Sequence, residues 1–362
     1  MLHNPLALSR YSEKDPVKSP ARPYLFLGAT LVAATLLLPA CNRGRSKVQE
    51  IAYVSAPQVF LRDHVSAVYN KTGTVKNGDR VQVLERERRF VRVRTDGGSE
   101  GWMEQRYLVP QKVFDQFQQM ARQEQRTPVQ VNGVTRSETN LHVDPGRDTE
   151  RLYQVIQGTK VAILKRATAE KSLPAAAPKT PNPGSKEPSP PPAPVMEDWW
   201  LVRDPQGQVG WVLARMVDLD VPLDIAQYAE GQRIVAFFVL NQVTDHDKTD
   251  NDKKVPQYLM LLTEPKDGLP FDYNQVRVFT WNVKRHRYET AYRERNLNGV
   301  LPVTVGQENF DKEGMLPVFV LHVRNDDGAV RERKYKLNTP MVRRVLAPGE
   351  EPPKAAGRKK RH

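Results

Sequence analysis

Only one cysteine, Cys41, occurs in the 362 residues. That scarcity excludes an internal disulfide framework, a cysteine-rich zinc finger and an iron–sulfur cluster. Histidine is sparse too. The seven, at positions 3, 64, 142, 246, 286, 322 and 362, are isolated, and no His-Glu-x-x-His occurs. A zinc amidase or peptidase needs histidines and carboxylates within reach of one another, and this spacing offers no such set. The Gly-x-x-x-x-Gly-Lys loop that cradles phosphate is also absent. Long apolar runs are limited to one, and the mean hydropathy is −0.60, so a polytopic membrane protein is excluded. Two things are in excess. There are 29 prolines, and 55 Lys+Arg stand against 42 Asp+Glu for a net charge of +13, which points to an anionic neighbour.

The apolar run is Tyr24 to Leu38, followed by Pro39, Ala40 and Cys41, with Arg10, Lys14, Lys18 and Arg22 before it. A basic start, a short apolar core and a small-residue end describe a secretory signal, and the run is shorter than the roughly 20 residues of a comfortable membrane span. Leu38-Pro39-Ala40-Cys41 resembles the lipobox of bacterial lipoproteins. The resemblance implies cleavage before Cys41, acylation of Cys41 and a lipid-anchored chain; an uncleaved amino-terminal anchor is the alternative. Asn42 resembles the residue found there in outer-membrane lipoproteins, which implies the periplasmic side of the outer membrane. Cleavage would remove four bases and two acids, taking the net charge from +13 to +11.

An internal repeat follows. Leu61 precedes Gly78-Asp79-Arg80-Val81-Gln82-Val83-Leu84 by the same interval that separates Leu141 from Gly158-Thr159-Lys160-Val161-Ala162-Ile163-Leu164. Each copy then has an aromatic-led alternating run, Phe90 to Arg94 and Trp199 to Arg203, and ends on Gly-Trp-x-x-x-Arg, Gly101 to Arg106 and Gly210 to Arg215. Short alternating strands with Gly, Asn and Asp turns read as hairpins closing a small barrel, with Trp102 and Trp211 expected to plug its end. The order of landmarks resembles the bacterial SH3-like (SH3b) domain, over residues 51–109 and 128–220. Such domains commonly target the envelope or bind the cell wall, which marks Trp102, Trp211 and Tyr107 as candidate ligand contacts. The first copy departs from the usual Leu-Asn-Val-Arg opening, reading Leu61-Arg62-Asp63; the second, Asn140-Leu141-His142-Val143, is closer.

Around the repeat the expected organisation is a signal peptide over 1–40, a linker over 41–50, and a linker helix within 110–127. Val113, Phe114, Phe117, Met120 and Ala121 share one helical face there, as a strut against the first barrel. The second copy carries a proline-rich insertion over 168–197, with nine prolines between Pro174 and Pro194, a composition of disorder or polyproline II. Residues 225–346 read as a β-rich domain, a sandwich or open barrel of six or seven strands with turns at Lys284-Arg285-His286 and Asn325 to Gly328. Within it, the acidic run Asp245 to Asp252 lacks the glycine and glutamate of a helical calcium loop and reads as a solvated hairpin loop. Trp281, His286, Arg287, Tyr288 and Tyr292 mix aromatics with bases, but half of any such strand faces a core. The tail 347–362 reads as a disordered basic arm, facing anionic polymers or lipid headgroups.

The fold class expected is therefore mainly β: two SH3-like barrels joined by a helix, plus a β-rich carboxy-terminal domain. The function expected is a lipid-anchored, non-catalytic envelope protein. Its partners are the membrane through Cys41, and peptidoglycan or envelope proteins; no cofactor, metal or nucleic acid is expected. The alternatives are a wall hydrolase with its site in 225–346, or an assembly lipoprotein that docks a larger complex. The only cysteine is committed to lipid on this reading, which excludes cysteine peptidase chemistry.

Overall fold

Alternating valines and leucines bounded by glycine turns make strands too short to stand alone, so each copy gathers seven of them into one antiparallel sheet. The computed structural model describes residues 47–172, 194–247, 254–346 and 349. Cys41, most of the proline-rich stretch and the basic residues of the tail lie outside the described residues. No helix among the described residues is long and apolar enough to cross a membrane.

The first copy comprises β1 (Glu50–Val54), β2 (Gln58–Arg62), β3 (Lys71–Lys76), β4 (Arg80–Glu87), β5 (Phe90–Thr95), β6 (Glu100–Glu104) and β7 (Leu108–Pro110). The second comprises β8 (Val131–Thr135), β9 (Thr139–His142), β10 (Arg151–Val155), β11 (Lys160–Glu170), β12 (Met196–Arg203), β13 (Val209–Leu213) and β14 (Val217–Leu219). In both, the strands lie in the order third, second, sixth, fifth, fourth, first, seventh. Registers agree as well: Arg62 faces Trp102, and His142 faces Trp211. The fourth strand bulges at the same place, between Val83 and Glu85 and between Ile163 and Lys165. An extra residue there bends the strand around the small core.

The Gly-Trp dipeptide is explained by crowding rather than by tryptophan burial. A Cβ on Gly101 would lie 2.4 Å from Thr72 Oγ1 and 2.8 Å from Leu61 Cβ, and one on Gly210 would lie 2.6 Å from Leu141 Cβ. Glycine is what lets the sixth strand lie against the landmark leucine. The following tryptophans, expected as core plugs, are only half-buried; the residues after them, Met103 and Val212, are 1% exposed and fill the cores.

The insertion is shorter at both ends than expected. Thr168, Ala169 and Glu170 pair with Asp198, Glu197 and Met196, because the β11–β12 ladder runs on until proline removes its donors. The helix also differs from expectation. α1 (Gln111–Gln123) wedges between the copies rather than bracing the first alone. Phe114 stacks on Tyr53 of β1 at 4.0 Å, and Phe117 meets Tyr153 of β10 edge-on at 5.2 Å. Asn77 adds a polar tie, its Nδ2 donating to Leu152 O at 2.7 Å and its Oδ1 accepting from Gln154 N–H at 3.1 Å.

A third sheet follows α2 (Leu223–Ala226): β15 (Arg233–Thr244), β16 (Lys254–Thr263), β17 (Tyr273–Asn282), β18 (Arg287–Asn309), β19 (Met315–Arg324), β20 (Val330–Asn338) and β21 (Met341–Val345). Its strands pair in sequence order, a meander curled into a half-barrel with Phe238 and Leu240 of β15, Val303 of β18 and Phe319 of β19 in one apolar cluster. β18 first pairs with β17 and then, past Gly299, with β19; its second half and β21 were not read from the sequence.

The second copy is fused to this sheet. Gln130, 0% exposed, accepts from Val303 N–H at 2.7 Å and donates to Val303 O at 3.2 Å, and its backbone carbonyl takes Phe237 N–H. Asp198, buried at the junction, accepts from Arg166 at 2.7 and 3.0 Å and from Arg233 at 2.7 Å, while Arg166 reaches Asp272 at 3.2 Å.

Candidate functional site

The shared strand order places a groove at the same position on each barrel, between the second strand and the segment that links the sixth to the seventh. On the first copy it encloses about 280 Å³ and is lined by Pro57, Val59, Phe60, Arg62, Tyr69, Met103, Glu104 and Tyr107. On the second it encloses about 370 Å³ and is lined by Glu138, Asn140, His142, Arg147, Arg151, Trp199, Arg215 and Met216. Aligning Leu61 with Leu141 and Trp102 with Trp211 puts Phe60 on Asn140, Arg62 on His142, Phe90 on Trp199 and Tyr107 on Met216.

The linings differ in chemistry. In the first groove Phe60 is 45% and Tyr69 36% exposed, and cations sit on the rings: Lys71 Nζ 4.1 Å from the centre of Phe60, Arg62 Cζ 4.2 Å from Tyr69 and Arg106 Cζ 4.8 Å from Tyr107. A ring face presented this way attracts sugar C–H faces, apolar groups and cations. In the second groove His142 is buried, hydrogen-bonds Thr149 Oγ1 at 3.0 Å and stands edge-on to Trp199 at 5.2 Å. Burial, helped by Arg151, pushes its pKa below the ordinary imidazole value, so it is neutral at pH 7. Arg147 grips Glu197 through two hydrogen bonds of 2.7 and 2.6 Å. Those bonds hold the Glu197 carboxyl below the usual range. Arg151, with Arg215 at 3.3 Å from the same carboxylate, leaves the second groove cationic.

Of the residues singled out in the sequence, Tyr107 lines the first groove. Trp102 and Trp211 line neither; Trp211 packs against the cluster of Leu164, Leu201 and Val209. Sequence reasoning missed Phe60, Arg62 and Tyr69 in the first groove, and His142, Arg147, Arg151 and Trp199 in the second. One signal was present: Arg62 stands where the opening of the first copy departs from the usual pattern. The Gly97-Gly98-Ser99-Glu100-Gly101 stretch has Gly-x-Ser-x-Gly spacing, but it is the hairpin from β5 to β6, with Gly98 at φ +83. A nucleophile elbow needs a strand-to-helix turn, so Ser99 is not placed as one.

Two further features lie around the third sheet. Asp245, expected in a solvated loop, is fully buried: Trp281 Nε1 donates to it at 2.7 Å and His286 Nδ1 lies 2.9 Å away. The indole bond, ahead of the imidazole, holds its carboxyl below the ordinary range. Ligand atoms of Asp245, Asp247 and His286 fall within 4.8 Å of one another. A cavity of about 380 Å³ lies at the junction of the second barrel and the third sheet, floored by Trp200, Val217, Leu219 and Ile234. Its cations are already paired, Arg136 with Asp218 and Arg233 with Asp198 and Asp267.

Comparison with known families bears on the two barrels. Residues 57–109 match the bacterial SH3 domain. Residues 139–218 match the GW (Gly-Trp) dipeptide domain. The first match agrees with the resemblance read from the sequence, and the second spans Gly210-Trp211 of the other copy. No curated protein matches the chain. Among solved structures, an NlpC/P60 family protein from Bacillus cereus ATCC 10987 is similar at 12% identity, covering 80% of this chain and 95% of its own, with a TM-score of 0.22. NlpC2 from Trichomonas vaginalis follows at 11% identity, 83% and 97% coverage and a TM-score of 0.16. NlpC1 of the same organism gives 11%, 80%, 89% and 0.16. At those scores the likeness carries no argument.

Proposed function

We propose that this chain is a lipid-anchored, non-catalytic protein of the cell envelope whose two barrels bind the wall polymer through their grooves. The observation that carries the reading is the pair of equivalent, open grooves on domains that match a bacterial SH3 and a GW family. Peptidoglycan is the partner this fits: its glycan offers ring faces to Phe60, Tyr69 and Tyr107, and the acidic groups of the wall suit Arg151 and Arg215. Anchoring at Cys41, on the periplasmic side of the outer membrane, is supported by Leu38-Pro39-Ala40-Cys41, and several acyl chains make such attachment stable. The basic tail adds affinity for anionic polymers or lipid headgroups.

The junction built by Gln130, Arg166 and Asp198 favours a role for the third sheet as a rigid platform, an assembly surface that holds the second barrel in a fixed orientation. The test is sedimentation of the purified chain with sacculi. Pelleting with sacculi supports wall binding; a chain that stays in solution while binding an envelope protein favours the assembly role. Release of soluble muropeptides from those sacculi would overturn the non-catalytic reading. Cys41→Ala is expected to move the protein out of the membrane fraction, and unchanged fractionation would overturn lipid anchoring.

A further inference from the structure

Arg62 is a half-buried cation with no carboxylate partner among the described residues. Its guanidinium lies 4.2 Å from the ring centre of Tyr69 and 5.4 Å from that of Phe90, and its side chain makes no hydrogen bond or ion pair among the described residues. The two nearest acids in sequence and groove are spent elsewhere. Asp63 accepts from the backbone and side chain of Asn70, both at 2.9 Å, and Glu104 pairs with Arg106 at 2.9 Å. A guanidinium beside aromatic rings still has its in-plane N–H donors available, in the fork that matches a carboxylate. In the open groove those donors meet water, which a carboxylate exchanges for charge-assisted hydrogen bonds.

We propose that the first groove binds a carboxylate, with Arg62 as its two-pronged anchor and the rings of Phe60, Tyr69 and Tyr107 against the body of the ligand. One fork matches one singly charged group, which selects carboxylate over a polyphosphate chain. The second barrel lacks the device, since neutral His142 occupies the position of Arg62. The proposal rests on the wall reading only for the source of the acid. In a wall polymer that is either the C-terminal carboxylate of a stem peptide or the lactyl carboxylate of its acidic sugar.

The experiment uses the purified full chain and two pairs of probes, followed by calorimetry: acetyl-D-alanyl-D-alanine against its C-terminal amide, and N-acetylmuramic acid against N-acetylglucosamine. One acid is expected to bind about tenfold or more tightly than its neutral counterpart, and which pair discriminates identifies the source. Arg62→Gln should abolish the discrimination, while Arg62→Lys, which keeps the charge without the fork, should retain part of it. If Arg62→Gln fails to fold, the wild-type pairs and Arg62→Lys still decide. Equal binding of acid and neutral probes by the wild type, or tighter binding of phenyl phosphate than of either acid, overturns the proposal. Discrimination without sedimentation on sacculi would overturn the wall reading alone, and sedimentation without discrimination would overturn the carboxylate site alone.

Discussion

The two barrels share strand order, bulge and the close glycine contact, yet they are built into the molecule differently. The first has a core of its own, Ala52, Val54, Leu61, Val75, Val81, Val83, Val91, Val93 and Met103. Most of the second's core is shared: Leu141, Leu152, Ile163, Trp200 and Val202 belong to one cluster with Val235, Phe238 and Phe319 of the third sheet, and only Leu164, Leu201 and Val209 form a small cluster apart from it. Their grooves diverge in parallel, one aromatic and one cationic. Duplication preserved what the backbone needs to close a small barrel. It left free the residues that face outward or toward a neighbour, so one copy has a compact core of its own and the other shares most of its core with the third sheet.

The largest expected effect comes from breaking the platform. Asp198→Ala leaves Arg166, 3% exposed, with Asp272 at 3.2 Å as its remaining carboxylate. Removing one partner of such a buried pair costs about 3–5 kcal/mol. Denaturant unfolding should show the loss in the transition shared by the second barrel and the third sheet, leaving the first barrel's transition in place. A uniform shift of all signals would contradict the division of cores.

Next come the paired glycines. Gly101→Ala and Gly210→Ala each force a Cβ into contacts shorter than 3 Å, an overpacking worth about 1–3 kcal/mol. Because the cores differ, Gly101→Ala should open the first barrel as a local unit, visible as faster hydrogen exchange confined to β1–β7. Gly210→Ala should lower protection in the second barrel and the third sheet together.

Acid sharpens the comparison further. The His142 pKa is lowered by burial from 6.5, so the unfolded state takes up that proton first. Its stabilising contribution is complete above pH 6.5 and is lost as pH falls through the folded value. Glu197, with a pKa lowered from 4.5 by Arg147, follows the same sign: its contribution holds above pH 4.5 and disappears below. At the corresponding places the first barrel has Arg62 and Arg88, neither histidine nor carboxylate. The second barrel should therefore weaken from about pH 6.5 downward while the first holds into the carboxylate range, and His142→Gln should flatten the upper part of that profile.

The smallest effects concern the grooves. Arg151→Ala should reduce the salt-dependent part of sacculus binding, since exposed charges are screened within about 10 Å at 0.1 M salt. Phe60→Ala should reduce the part that survives high salt.

The barrels were legible because their landmarks are local or repeated. Gly78 and Gly158, at φ +83 and +79, mark the same turn, and Leu61, Leu141 and the Gly-Trp dipeptides mark the same crossing. The sites were less legible because they join residues distant in the chain. Arg62 meets Phe90 only when β2 lies beside the β5–β6 hairpin, and Asp245 meets His286 across 41 residues. The second half of β18 was missed for a related reason. Gly299, Pro302 and Gly306 interrupt its apolar residues and read as breaks, and its pairing changes from β17 to β19 along one continuous strand.

The most direct test of the account is sedimentation of the full chain with sacculi, with each groove altered in turn: Tyr107→Ala with Arg62→Gln in the first, Arg151→Ala with Arg215→Ala in the second. The wild type is expected to pellet, each pair to weaken binding, and the four changes together to leave the folded chain in the supernatant. Undiminished pelleting of the fourfold variant would contradict wall binding through the grooves.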